Sequence, residues 1–211
     1  MNVDSHLAIA QKSIGYTFKD PLLGVEAVQM AGPNTHVTIN GQLYIVGLNK
    51  RLALVGDAGA ALVMCQQWYI SQDKFGNPQN AEAWTRTAQG PLTNIGLGKL
   101  GRSLGIIDAI ITAPGHQGQF GDKMVGTALE GLLGAVYQDG GEEALRLVME
   151  HIGLKHQVVT SKPSLLFRDL LLRANMLLLE PRCRPPRDPH REAPRGPLAN
   201  RVRPRITSLL T

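Results

Sequence analysis

The sequence predicts an all-α fold, and three observations carry that prediction. Apolar residues recur at spacings that line one helix face, Gly, Pro and Asn clusters separate these segments, and few stretches alternate with period two over strand length. With 211 residues, 43% hydrophobic and 18% charged, the chain lies in the ordinary globular range and has enough material for one fair-sized core.

The elements follow in order. Ser5 to about Ile14 reads as a first helix. Asp20-Pro21 is an N-cap followed by proline at the first helical position, where its missing N–H costs nothing, and opens a second helix through Met30. The stretch AGPNTHVTINGQ reads as a loop. Asn49 to Ile70 is long and apolar on one face, and SQDKFGNPQN breaks it. Glu82 to Ala88 and Pro91 to Leu104 form a further pair. Gly126 to Tyr137 is another apolar helix, ended by the turn residues Asp139-Gly140-Gly141. Glu142 to His151 follows with acids in its first turn, as the helix dipole prefers. Ser164 to Glu180 is a last, Leu-rich helix.

Charge is distributed unevenly. Net charge is +5, yet from Pro181 onward there are eight Arg, no Lys and two acids, so the basicity lives in the tail. Seven prolines in the same segment disfavour helix or central strand, and the tail is expected to be disordered. Such a segment can attract nucleic-acid phosphate without reading sequence, or can be an end with no partner. The expected division is a folded domain over 1–158, a C-terminal helix over 159–180 and the Arg/Pro-rich tail over 181–211. Cys65 and Cys183 match no metal or redox spacing, which favours a reducing compartment, with Cys65 in the core. The N-terminus resembles neither a secretory signal nor an Arg-rich transit peptide, and no apolar run reaches membrane-spanning length. An intracellular protein is expected, with a mitochondrial role left open and no membrane partner.

Two residues break the apolar pattern. Asp57 in GDAGAALVM and Glu130 in LEGLLGAVY each sit among Gly, Ala, Leu and Val inside a helical run. Ionised carboxylates are rarely buried unless paired or bound to metal. Each alone could cap a neighbouring loop or point out through a gap in the apolar face. Two of them in similar small-residue helices, which can approach closely, suggest one shared site.

These residues carry a family resemblance. NKRLALVGDAGAALVM resembles the ribonuclease III signature helix NERLEFLGDAVL, and KMVGTALEGLLGAVYQDGG resembles the second catalytic helix KxxADxxEALIGAIYLDGG. IGYTFKDPLLGVEAV is similar to the family's GYxFxxxxLLxxAL opening, and TNIGLGKLGRSLGI to its SNxxLxxxxxxLGL segment. The four segments lie in family order across roughly residues 5 to 155. The resemblance implies an all-α endonuclease domain that forms a homodimer, with a valley that holds double-stranded RNA. It also implies acidic side chains gathered around Mg²⁺ ions, with water attacking a phosphodiester. Positions 53 and 57 share a face of one helix and 127 and 130 a face of the other, so packed faces would form a four-position cluster suited to two metals.

Half of that quartet is replaced. The family's first Glu corresponds to Lys50 and its second to Ala53, while its Asp is kept as Asp57. On the second helix the family's Asp corresponds to Thr127 and its Glu is kept as Glu130. One Mg²⁺ or Mn²⁺ can be held by one or two carboxylates with waters and substrate phosphates, but a two-ion clamp is harder to sustain. Lys50 can pair with Asp57 or Glu130 in place of the missing ion, or extend to solvent. The family's aromatic knob in the dimer contact corresponds to Leu54, which fills a socket with less area; it belongs either to that interface or to the monomer's own core.

Other signals carry less. Gly96 to Gly101 spells GxGxxG but lacks a preceding strand, so helix packing is the better reading. The six histidines are scattered and read as surface or loop residues, and Trp68 and Trp84 as packing residues. Lys99 and Arg102, three apart on one face, can touch an RNA backbone. Two functions fit: a protein that binds double-stranded or structured RNA in RNA processing with cleavage weak or lost, as a homodimer or beside a related domain, or an active Mg²⁺-dependent endonuclease using Asp57 and Glu130.

Overall fold

Why the chain is mostly helical is visible in a computed structural model, which describes residues 1–88, 90–116 and 119–156. The expected helix over 164–180, the Arg/Pro-rich tail and Cys183 lie outside the described residues. Helix α1, Asp4–Ile14, buries Leu7, Ala10 and Ile14 on one stripe and ends at Gly15, whose φ of 67° only glycine adopts cheaply. In α2, Pro21–Val28, the Asp20 carboxylate accepts from the Leu22 amide at 3.0 Å, as its N-cap position requires.

The segment read as a loop contains a β-hairpin. Strands β1, Thr35–Ile39, and β2, Gln42–Val46, pair antiparallel across Asn40-Gly41, both at positive φ. Asn-Gly is the pair that a two-residue hairpin turn of this hand selects, and Val37, Ile39 and Val46 face the core in alternation. The fold is therefore mostly helical with one small sheet. Buried Gln29 fastens it, donating from its side-chain amide to the carbonyls of Gly32, Val46 and Gly47 at 2.8, 3.1 and 3.0 Å.

Four further α-helices follow, α3, Lys50–Tyr69; α4, Ala81–Ala88; α5, Asn94–Ser103; and α6, Asp122–His151, with a short 3-10 helix, Ile106–Ala109, between the last two. Helix α5 begins three residues later than Pro91, where the Thr93 hydroxyl accepts from the Gly96 amide at 3.0 Å. Helix α6 begins four residues before Gly126 and leaves helical geometry at Gly141, with φ 76° and ψ −171°, so the predicted turn is a kink within one long element. The Asp139 carboxylate braces that kink, accepting from the Tyr16 hydroxyl at 2.7 Å and the Lys19 and Asp20 amides at 3.0 and 2.9 Å.

Helix α6 is the axis of the core, with Leu129, Leu132, Leu133 and Val136 fully buried. Other helices reach its backbone through glycines. A Cβ on Gly101 would stand 2.7 Å from Val125 Cγ1, one on Gly98 2.7 Å from Asp122 Cβ, and one on Gly126 2.9 Å from Asn94 O. Gly98 and Gly101 of the GxGxxG run thus make a close helix contact between α5 and α6, while Gly96 lies against the Gly90 and Pro91 carbonyls. Trp68 and Trp84 pack with ring centroids 5.9 Å apart, as expected of packing residues. His156 departs from expectation: it is buried and stacks on Trp84, and its backbone amide donates to Gln67 Oε1 at 2.8 Å.

Candidate active site

The two odd carboxylates meet because α3 and α6 cross on glycine. A Cβ on Gly56 would fall on the Glu130 carbonyl oxygen and 2.7 Å from the Gly134 amide nitrogen; one on Gly134 would fall on the Leu52 carbonyl oxygen. Two backbones can approach this far only where neither helix carries a side chain. Asp57 follows the first glycine directly and Glu130 precedes the second by one helical turn, so the crossing sets them side by side.

The upstream end of the crossing is held by Asn49. Its side-chain amide donates to the Ala27 carbonyl at 3.2 Å and, more loosely, to the Thr127 carbonyl at 3.5 Å, and its backbone amide donates to Gln29 at 3.2 Å. This buried residue joins α2, α3 and α6 beside the site. Sequence reasoning assigned it no role, although it stands first in the NKRL segment.

Among the described residues, no ion pair engages either carboxylate. Asp57 is exposed and Glu130 half-buried. Burial, and second the Asp57 charge, push the Glu130 carboxyl up from 4.5 to about 6. Lys50 is exposed and, among the described residues, forms no ion pair with either carboxylate, so the proposed substitute for the missing ion is not formed. It takes the solvent-directed alternative. Ala53 is buried, at 6% exposure, and offers no donor, while Thr127 is half-buried with a neutral hydroxyl.

That donor set does not fit a two-ion site. Among the described residues no group of three or more His, Cys, Asp or Glu side chains is placed to hold a metal ion. Two carboxylates, one of them reluctant to ionise, leave most ligands of even one Mg²⁺ to water or phosphate.

The remaining predicted residues divide. Leu54 is 73% exposed, which excludes the monomer-core reading. It begins an open apolar line on α3 that continues through exposed Ala58, Leu62 and Tyr69, with Cys65 half-buried on the same helix rather than in the core. Lys99 is exposed on α5. Arg102 is engaged within the domain: its Nε donates to Asp122 Oδ1 at 2.9 Å and its Nη2 to the Phe120 carbonyl, bracing the segment that enters α6. The partner of Arg102 lies 20 residues away, so nothing local in the sequence announces it. No helix among the described residues is long and apolar enough to cross a membrane.

The helical arrangement, with two helices crossing on glycine, is that of the ribonuclease III architecture. The chain is similar to two curated proteins named Ribonuclease 3. It is 29% identical to that of Colwellia psychrerythraea over 154 residues, covering 71% of this chain and 52% of the relative. To that of Aliivibrio fischeri it is 27% identical over 147 residues, covering 68% of this chain and 59% of the relative. It thus spans little more than half the length of these relatives. Two structures of the ribonuclease III nuclease domain from Campylobacter jejuni share the fold. Their TM-scores are 0.56 and 0.53 at 20% and 21% identity; each covers 69% of this chain, and 94% and 91% of the nuclease domain respectively. One of them is described for structural flexibility in its dimer-forming region. No family model matches the sequence. The chain is similar in sequence to ribonuclease III proteins and shares the fold of their nuclease domain.

Proposed function

We propose that this protein binds double-stranded or structured RNA as a dimer in RNA processing, with phosphodiester cleavage weak or lost. The observation that carries the reading is the donor count at the α3–α6 crossing: two carboxylates converge where the resemblance implies four, and buried Ala53 and neutral Thr127 fill the other positions. Removing two anions also changes what the surface attracts. Exposed Lys50, Arg51, Lys99 and Lys123 lie on α3, α5 and α6, and with fewer carboxylates to oppose them they favour a phosphate backbone. Lys99 is the backbone contact in this reading, and Arg102, already paired, acts on RNA only through the loop it braces.

The open line on α3 supports the dimer. An exposed Leu beside small residues is poorly placed for a monomer surface and suited to an isologous helix contact. A related domain with intact carboxylates could occupy the same face as a heterodimer. The second reading, an Mg²⁺- or Mn²⁺-dependent endonuclease working with Asp57 and Glu130 alone, is favoured by the convergence of those two side chains.

The test is incubation of long double-stranded RNA with purified protein in Mg²⁺ and in Mn²⁺, beside Glu130→Gln, with binding measured on the same RNA. Retention of RNA without cutting is the expected result. Metal-dependent cutting that disappears in Glu130→Gln would establish the enzyme instead.

A further inference from the structure

The loop between α3 and α4 displays an aromatic ring that the domain does not use. Phe75 is 77% exposed, and no ring among the described residues packs on it. Its backbone is nevertheless closely fixed. Asp73 Oδ1 accepts from the Phe75 and Asn77 amides at 2.8 and 2.9 Å, the Asp73 amide donates to the Asn77 carbonyl at 2.8 Å, and the Gly76 amide donates to the Asp73 carbonyl at 3.0 Å. Gly76 closes the turn at φ 87°, and a bridge between Gln72 and Pro78 joins the stems. Backbone donors, Asn77 first, hold the Asp73 carboxyl below its ordinary range, so its charge is engaged inside the loop. Lys74 Nζ lies 4.9 Å from the Phe75 ring centre.

We propose that this loop is a stacking platform for an unpaired base of a bound RNA. A hydrophobic collapse would have folded the ring inward; here the loop's hydrogen bonds hold it out, so no ordering of the backbone is needed when a ligand arrives. The Lys74 ammonium lies over one face of the ring, and the opposite face is of the kind on which bases stack irrespective of sequence, with that ammonium near enough to turn to the phosphate of the same nucleotide. Paired bases present no open face, so the platform serves a single-stranded extension, a bulge or a loop beside the duplex. The inference rests on the RNA-binding reading above and adds which part of an RNA is recognised away from the carboxylate pair.

The test compares a blunt RNA duplex with the same duplex carrying a short single-stranded extension that contains a fluorescent adenine analogue. Wild-type protein binds the extended RNA more tightly and quenches the analogue. Phe75→Ala lowers affinity for the extended RNA about fivefold or more, to the blunt-duplex level, and abolishes quenching. Phe75→Trp preserves both effects, and Lys74→Ala weakens extended-RNA binding alone. Because the ring is exposed, the unfolding midpoint stays unchanged in all three variants. Equal wild-type affinity for the two RNAs would overturn the platform and leave the RNA-binding reading standing. Failure to bind either RNA would overturn both. Intact RNA binding in Phe75→Ala together with altered self-association would assign the ring to a protein contact and also overturn the proposal.

Discussion

Gly56→Ala tests whether the domain is built on the helix crossing. Inside an α-helix an Ala for Gly exchange ordinarily stabilises by about 1 kcal/mol, because it restricts the unfolded chain. At position 56 the added methyl falls on the Glu130 carbonyl oxygen, 2.8 Å from Glu130 C and 2.7 Å from Gly134 N, all inside the 3.4 Å at which ordinary contact begins. Each of these atoms is backbone of a helix whose other faces are buried, so no rotamer change relieves the overlap. The helices must part, and overpacking of this kind costs about 1–3 kcal/mol or more before the propensity gain is subtracted. With three rigid backbone atoms involved, the upper part of that range applies, and a net loss of about 2 kcal/mol is expected. Gly59→Ala is the internal control on the same helix: its Cβ would meet Leu145 Cδ2 at 2.9 Å, a terminal methyl that can move, and Tyr137 Cδ2 at an ordinary 3.9 Å. Urea unfolding at fixed protein concentration measures both variants. Gly59→Ala should match or exceed wild type, whereas Gly56→Ala should be clearly weaker; equal stability for the two would refute the crossing as described.

Three further outcomes follow from the same geometry. Glu130 has its folded value raised to about 6 from 4.5, so the folded state holds its proton more tightly; its favourable contribution is complete below 4.5 and disappears as pH rises through 6. Glu130→Gln should therefore raise stability at neutral pH by about 1 kcal/mol, after discounting for the solvent-facing part of the group, and remove the slope between those values; an unchanged slope in pH-dependent unfolding contradicts the assignment. Leu54→Asp, at a 73% exposed position, should leave folding within about 0.5 kcal/mol of wild type yet shift sedimentation toward monomer, and an unaltered sedimentation profile would remove Leu54 from the dimer contact. Asp139→Asn should cost about 1–3 kcal/mol in urea unfolding, because one of the acceptors for Tyr16, Lys19 and Asp20 at the α6 kink becomes a donor, and a cost near zero would show that the kink is held by Gly141 alone.

What could be read in the sequence was what local physics decides. The one-face stripe of Leu7, Ala10 and Ile14 and the cap at Asp20 are settled within a turn or two of chain, so α1 and α2 were legible. The hairpin was missed although Asn40-Gly41 is a strong hairpin signal: reading Gly, Pro and Asn only as helix punctuation hid the alternation in Val37, Ile39 and Val46. The pairing of Asp57 with Glu130 was legible because both sit beside glycines that permit close approach. The engagement of Arg102 by Asp122, the burial of His156 against Trp84 and the role of Asn49 depend on partners distant in sequence. Exposure of Leu54 was expected only through the resemblance, which puts it in a dimer contact; an apolar residue in an apolar helix gives no local sign of which neighbour will cover it.

On the proposed reading, in which two family carboxylates are replaced, the same energetics explain how the crossing holds without them. The crossing is held by glycine sterics and by Asn49, and neither depends on charge at the site. Burial first, and the Asp57 charge second, raise Glu130, so two further carboxylates at the same place would add repulsion that a bound cation would offset. On the proposed reading, Ala53 and Thr127 avoid that added repulsion. Restoring both acids, as Ala53→Glu with Thr127→Asp, should lower the thermal midpoint in chelator and recover it in millimolar Mg²⁺, while the wild-type midpoint responds little to either. Differential scanning calorimetry with and without Mg²⁺ decides this. A double variant as stable in chelator as wild type would mean that the site tolerates four carboxylates without metal, and that charge relief has no part in how this domain stays folded.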